Sequence, residues 1–176
     1  MRTFALFASL VVWSFLFGKE DEPINFSLLE TREINGEEIR FLKDSKEPYS
    51  GRSLGIFENG EKQVELTWKD GRKEGPSTFW YGNGQKQAEV NYKNGKKEGL
   101  VTWWHDNGQK KAEGNYKDGK AHGLTTNWHD NGQKREESNW KDGKEDGLTL
   151  IYDKNGNETL RQNWQDGVLI FEKKSP

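Results

Sequence analysis

The histidines of this chain are the first candidates for chemistry, because two of the three recur at a fixed spacing. His105 and His129 lie twenty-four residues apart, and each is followed by Asp-Asn-Gly. If both end equivalent strands of a sheet, they lie two strand spacings apart, roughly 10 Å, which is too far for one metal ion without bridging ligands. The equivalent positions in the neighbouring segments hold Tyr81 and Asp153. We therefore interpret this position as a polar strand end and predict no metal site.

Four glutamates with the same spacing are the next candidates, as acids or bases. They are Glu65, Glu89, Glu113 and Glu137. We expect them to form solvated cross-strand pairs with Lys86, Lys110 and Lys134, each worth about 0.2–1 kcal/mol. No glutamate pair has the apolar surroundings that raise a carboxyl pKa for acid catalysis. The chain also lacks a Ser-His-Asp order, a phosphate-binding loop and the ligand pattern of a calcium loop. We predict that the protein is not an enzyme, with no catalytic residue and no cofactor.

The glycines reveal what organises these positions, because three sets of them repeat every twenty-four residues. The first set is Gly60, Gly84, Gly108, Gly132 and Gly156. The second is Gly71, Gly95, Gly119, Gly143 and Gly167, and the third is Gly51, Gly75, Gly99, Gly123 and Gly147. A fixed period of this length indicates a repeat array, in which each unit packs mainly on its neighbours. We predict that the first two sets are turn glycines.

The turn signals alternate at spacings of eleven and thirteen residues, which predicts a meander of β-hairpins with short strands. A three-residue loop at 106–108 would place its glycine in the left-handed conformation of a G1 bulge. Because side chains alternate between the two faces of a strand, the number of residues in this loop decides which of them share a face. A three-residue loop places Trp104, Thr102 and Leu100 on the same face as Tyr116. The Lys-Asp-Gly turns are predicted to be three-residue loops of the same kind.

This parity predicts an aromatic core on one face of the sheet. Its members are Trp68, Trp80, Tyr92, Trp104, Tyr116, Trp128, Trp140, Tyr152 and Trp164, with Ile56 in the first unit. Each ring buries on the order of 150–250 Å² when covered, so these positions should dominate stability. The predicted fold class is all-β: an elongated single-layer antiparallel meander of 24-residue hairpin repeats, preceded by an N-terminal hydrophobic helix.

Four residues are predicted to form an aromatic patch on the opposite, outer face. They are Phe79, Tyr81, Trp103 and His105, and their side chains alternate with the predicted core along two first strands. The patch fades along the array, because Asn127 and Ile151 replace its larger rings. We interpret it either as a binding surface for a peptide or a sugar, or as rings that pack on neighbouring long side chains.

Composition and the N-terminal segment suggest where such an array works. The 27 basic and 29 acidic residues give a net charge of -2 and mean hydropathy is -1.10, so we expect no nucleic-acid partner. Residues 1–18 are almost uncharged and apolar, which indicates a signal peptide or an uncleaved anchor and predicts export to the periplasm, envelope or medium. We divide the rest into a linker with a degenerate first repeat or cap (19–47), the array (48–171) and a tail (172–176).

The repeated pattern resembles the MORN repeat, in its bacterial variant form. The resemblance rests on Gly-x-x-x-x-Trp-x-x-Asn-Gly-Gln followed by a ring and Lys-(Asp/Asn)-Gly, and it covers roughly 48–171. It implies an elongated antiparallel sheet that contacts proteins or membranes. Many bacterial proteins of this kind carry the label of a YwqK-type antitoxin.

Two functions remain open at this point. The first is a non-enzymatic, exported interaction scaffold of the antitoxin-like type with a protein partner. The alternative is a cell-surface module that binds a glycan or a membrane through exposed aromatic side chains.

Overall fold

The computed structural model describes residues 22–175, which form a meander of β-strands. The strands are β1 (Ile24–Asn25), β2 (Leu29–Ile34), β3 (Glu37–Leu42), β4 (Gly51–Ile56), β5 (Lys62–Lys69), β6 (Arg72–Lys73), β7 (Gly75–Trp80) and β8 (Lys86–Lys93). They continue with β9 (Lys96–Trp104), β10 (Lys110–Lys117), β11 (Lys120–Trp128), β12 (Lys134–Lys141), β13 (Lys144–Tyr152), β14 (Glu158–Gln165) and β15 (Val168–Lys174). A 3₁₀ turn at Phe26–Leu28 is the one helical segment of these residues.

The large sheet contains 13 strands, and from β4 onward spatial order follows chain order, except that the short β6 pairs only with β5, which also pairs with β7. Consecutive strands pair antiparallel, whereas β1 adds to β4 in parallel. This confirms the predicted antiparallel meander. β15 extends to Lys174, so it includes part of the segment assigned to the tail. The hydrophobic segment 1–18 lies outside the described residues. Within 22–175, no helix has the length and apolar character required to cross a membrane.

The Asp-Asn-Gly loops have the predicted three-residue form. The His105 amide donates to the Gln109 carbonyl oxygen at 2.8 Å, and the Gly108 amide donates back to the His105 carbonyl oxygen at 3.0 Å. Gly108 has φ 82°, the left-handed conformation that closes a type I turn with a G1 bulge. The Asn107 side-chain oxygen accepts the Gln109 amide at 3.0 Å. The turn position of the first glycine set is therefore confirmed.

The Lys-Asp-Gly turns differ from the prediction, because they are two-residue loops. Lys117 pairs directly with Lys120, and the residues between them, Asp118 and Gly119, have φ 50° and 82°. Two consecutive positive φ values define a type I′ turn, whose twist matches that of the flanking strands. Asp and Asn tolerate the first position because their short polar side chains make the left-handed conformation accessible. All ten predicted turn glycines have positive φ, but the loop length predicted for the second set was wrong.

A β-bulge directly after each three-residue loop changes which face the first-strand side chains occupy. Trp104 pairs with Lys110, but Trp103 pairs with Ala112, so Lys111 is the extra residue. The same shift recurs in the other units. Tyr116 therefore shares its face with Trp103 rather than with Trp104. The predicted face of Trp80, Trp104, Trp128, Tyr152 and Ile56 was wrong, and so was the predicted outer position of Phe79 and Trp103.

We call the face that carries Tyr116 the front face and the opposite one the back face. The centre of the front face is closely packed, and Val101 there is 0% exposed. Val101 pairs across the strands with Val90 and Gly114. Phe79, Tyr92, Trp103 and Tyr116 pack around this centre. The second-strand rings occupy the front face as predicted: Trp68, Tyr92, Tyr116, Trp140 and Trp164. Of these, Trp68 is buried and the others are partly exposed.

Trp68 is buried because the N-terminal hairpin β2–β3 covers the first unit. This hairpin forms a separate two-stranded sheet, so the segment before the array is a cap. The Arg40 amide donates to the Gly71 carbonyl oxygen at 3.0 Å, and the Gly71 amide donates to the Tyr49 carbonyl oxygen at 2.8 Å. A side chain at Gly71 would meet Ile39 at 2.3 Å, so the glycine is also needed for this close approach.

Two series of hydrogen bonds link each unit to the next at the ends of the strands. At one end, the Asn83 amide group donates to the Asp106 carbonyl oxygen at 2.9 Å, and Asn59, Asn107 and Asn131 repeat this bond. At the other end, the Gly119 amide donates to the Lys97 carbonyl oxygen at 2.9 Å. Because these bonds satisfy turn groups of adjacent units, each unit is held by its neighbours in the manner of a repeat array.

Candidate binding face

The histidine position links successive units. Nε2 of His129 lies 3.0 Å from the Tyr152 carbonyl oxygen, and Nε2 of His105 lies 3.4 Å from that of Trp128. In the unit before, the Tyr81 hydroxyl donates to the Trp104 carbonyl oxygen at 2.8 Å. The side chains at this position therefore bond to the backbone of the following unit, which supports the interpretation as polar strand ends.

All four glutamates pair with a lysine three residues earlier on their own strand, and Glu65 also pairs with Arg52 on the neighbouring strand β4. The Lys110 ammonium lies 2.5 Å from the Glu113 carboxylate, and Lys134 is placed in the same way toward Glu137. The expected cross-strand pairing with lysine was wrong because the bulge turns residues three apart to the same, back face. The pKa of the Glu65 carboxyl is lowered, chiefly by its hydrogen bond from Arg52. Such partly exposed pairs contribute little to stability.

The front face carries two cavities, with volumes of about 640 and 620 Å³. Phe79 and Tyr81 line both, so they form one groove along the sheet. The predicted patch is thus divided. Phe79 and Trp103 line the groove from the front face, and the hydroxyl of Tyr81 is used in the bond to the next unit. His105 makes the equivalent bond and does not line either cavity.

Three cations lie over rings on the front face. Lys97 Nζ is 5.2 Å from the ring centre of Trp103 and 5.0 Å from that of Tyr116. Lys73 Nζ is 4.9 Å from the centre of the Tyr92 ring. In the capped first unit, the Arg40 guanidinium is 5.8 Å from the centre of the Trp68 ring. These distances fit cation–π contacts. The sequence reasoning missed this role for lysine, although Lys73 and Lys97 lie one period apart.

The electrostatics of this groove follow from its lining. None of the described residues that line the two cavities is Asp or Glu. Burial lowers the pKa of Lys73, with further lowering by the charges of Arg40 and Lys97. Burial also raises the pKa values of the Tyr92 and Tyr116 hydroxyls. The groove therefore presents positive charge beside aromatic surface, which suits carboxylate groups adjacent to apolar side chains.

Farther along the array the front face becomes acidic. One period after Lys97 the chain has Ala121, and after another period it has Glu145, which pairs across the strands with Trp140. Glu136 belongs to the same face, since it pairs with Ile151. The pKa of Glu145 is raised by burial and then by the charge of Glu136. The front face is thus basic toward its N-terminal end and acidic toward its C-terminal end.

Fold and site together define a repeat protein built from one layer of β-hairpins, with an aromatic and charged groove on one face. The model of the MORN repeat variant family matches three consecutive segments, residues 73–94, 97–118 and 121–142. The predicted resemblance is confirmed for these three units. No curated protein matches the chain.

Proposed function

We propose that this protein is a non-enzymatic scaffold that binds another polypeptide on the open part of its front face. One observation carries the proposal. The N-terminal hairpin already occupies the front face of the first unit, where Leu29 contacts the cluster that contains Leu66 and Trp68. The repeats after it present equivalent rings without such a cover, which leaves a surface of the same kind available for a partner.

The contacts of the hairpin indicate what such a partner offers. The Arg40 guanidinium lies over the rings of both Phe26 and Trp68, at 5.5 and 5.8 Å from their centres. Main-chain hydrogen bonds at Gly71 hold the hairpin in register. In the open units Lys73 and Lys97 already supply the cation, so a partner there contributes apolar side chains together with carboxylates.

Export and an antitoxin-like role form the finer part of this proposal. The apolar segment 1–18 supports export, and the match to the MORN repeat variant supports a repeat protein that acts by binding. The antitoxin role rests on the resemblance alone. A toxic protein whose activity is suppressed by co-expression with this chain is the observation that this part requires.

The alternative, binding of a glycan or a membrane surface, is favoured by the rings of Phe79 and Trp103 in the groove wall. Aromatic side chains with one open face stack on sugar rings and also lie at membrane interfaces. Retention of the protein on cell-wall polysaccharide or on anionic vesicles, with no protein captured, would favour this alternative.

A matched pair of lysine variants tests the proposed binding face. Lys97 covers a ring on the front face, and Lys110 covers the Trp128 ring on the back face at 5.6 Å. The full chain is immobilised and used to capture protein from the source cell. Lys97→Glu should lose the captured protein, whereas Lys110→Glu should retain it. Equal capture by both variants would refute the assignment of the front face, and capture of nothing by the wild type would refute a stable protein partner.

A further inference from the structure

The charges on the front face reverse sign about the middle of its open part. The positions at one period are Lys73, Lys97, Ala121, Glu145 and Leu169. Each pairs across the strands with the ring of its hairpin, from Trp68 to Trp164. They therefore share one row of the front face. Ala121 lies at the centre of this row, with a lysine one period before it and a glutamate one period after it.

We propose that a second copy of this chain binds to the open front face, with the two front faces opposed and the two arrays antiparallel. The two-fold axis runs along the strand direction past Ala121. Lys97 of each copy then lies opposite Glu145 of the other, so one contact is made twice, as a two-fold interface requires. This inference rests on the proposed function, because it names the polypeptide that occupies the proposed binding face.

Unsatisfied groups in each half of the face support a second copy. Glu145 shares the front face with Glu136, whose charge raises its pKa further, and the described residues provide no ion-pair partner for Glu145. Glu145 is the cross-strand neighbour of the Trp140 ring, whereas at the equivalent position two units earlier Lys97 is the cross-strand neighbour of the Tyr92 ring. A lysine from the opposed copy would supply the missing positive charge, and would in turn gain a carboxylate. Pairing of opposite charges in this way fixes register at an interface.

The alternative occupant, an acidic peptide, satisfies only half of the face. It would neutralise Lys73 and Lys97 but would leave Glu136 and Glu145 facing an acidic or apolar partner. A second copy places a lysine opposite a glutamate in both halves, through the same pair, Lys97 and Glu145. The cap is compatible with this arrangement, because it covers the first unit at Trp68 and Leu66 and leaves the symmetric segment from Lys97 to Glu145 open.

Charge exchange tests the pairing directly. The full chain should sediment as a dimer in the analytical ultracentrifuge at moderate salt. Lys97→Glu and Glu145→Lys should each raise the dimer dissociation constant by about tenfold or more, and the double variant should recover most of the wild-type affinity, since both pairs are restored with reversed sign. All variants carry the same residues 1–21, so association through that segment would not respond to these changes.

Site-specific cross-linking tests the axis independently. The chain has no cysteine, so one introduced thiol is unambiguous. Ala121→Cys should give a covalent dimer with a short bis-maleimide reagent, because the two copies meet there. Glu113→Cys, on the back face and also partly exposed, should not. Ala121→Cys is a small change, so it keeps the test valid if a charge variant fails to fold.

The outcomes separate this inference from the proposed function. A monomeric wild type that still captures another protein through Lys97 would overturn the second copy and leave the proposed function standing. A dimer that is insensitive to both charge reversals, or that cross-links through the back face, would overturn the arrangement. A dimer in which the double variant recovers affinity would support both proposals.

Discussion

Val101→Ala should destabilise the folded protein by about 2–3 kcal/mol. Val101 is 0% exposed and lies at the centre of the front face, between Val90 and Gly114. Its burial depends on the bulge at Lys111, because that bulge turns Val101 rather than Leu100 toward the Tyr116 face. The variant therefore tests the register that defines the binding face.

The magnitude follows from the atoms removed. Val101→Ala deletes two buried carbons, which at about 0.8 kcal/mol each is roughly 1.6 kcal/mol of lost transfer free energy. The neighbours cannot fill the space, since Gly114 has no side chain and Val90 belongs to the same sheet. A residual cavity adds to the cost. With a urea slope of about 1–3 kcal/mol/M, the unfolding midpoint should fall by roughly 1 M.

The matched control is the next residue along the strand. Leu100 is 53% exposed, so Leu100→Ala should change the free energy of unfolding by less than about 0.5 kcal/mol. Urea unfolding of wild type and both variants is followed by tryptophan fluorescence and far-ultraviolet circular dichroism. If Leu100→Ala cost as much as Val101→Ala, or more, the sheet would have the register that the loop parity predicts, and the front face would be wrongly defined.

Three further predictions concern the turns and the cap. Gly108→Val should lower the melting temperature, because φ 82° strains a β-branched residue by about 1–3 kcal/mol and its Cβ would meet the Gln85 side chain at 2.6 Å; an unchanged melting curve would contradict the turn. The pKa of Asp153 is lowered by hydrogen bonds from Asn157, so this carboxylate stabilises the fold above its unfolded pKa and the stabilisation is lost as pH falls through the lower folded pKa. Asp153→Ala should therefore reduce the melting temperature at pH 7 but hardly at pH 2, and an equal reduction at both would exclude this linkage. Arg40→Ala should loosen the cap and shift the fluorescence of Trp68 to the red, whereas an unshifted spectrum would show that Arg40 does not hold the hairpin.

The period and the positions of the turns could be predicted because both depend on local residues. Asn107 and Gly108 fix a type I turn with a G1 bulge through their own backbone preferences. The second turn was harder, since Asp118-Gly119 satisfies a type I′ turn as readily as the end of a three-residue loop. The choice between them is made by pairing of the flanking lysines, which is a property of two strands and not of three residues.

The faces could not be predicted from loop length alone, because one bulge reverses the parity of a strand. The extra residue is Gln87 in one unit and Lys111 in the next, and such polar residues carry no signature of a bulge. A usable signal was present in the side chains across the sheet. Thr102 pairs with both Glu89 and Glu113, which places these polar residues on one face. The same register brings small apolar residues together on the other face, among them Val90, Val101 and Gly114.

The N-terminal cap distinguishes the two faces of the sheet, because it covers the front face of the first unit. Trp68 is buried because Leu29, Arg40 and Phe26 approach it from the front, and Gly71 permits the close approach of Ile39 at the first type I′ turn of the array. The corresponding glycines of later units meet the base of an arginine or lysine side chain at about the distance of ordinary contact, as Gly119 meets Lys96 at 3.6 Å. The back face has no such cover, and its lysines are paired with glutamates on the same strand. On the front face, Lys97 and Glu145 have no partner of opposite charge among the described residues, and these are the charges that a bound polypeptide can satisfy.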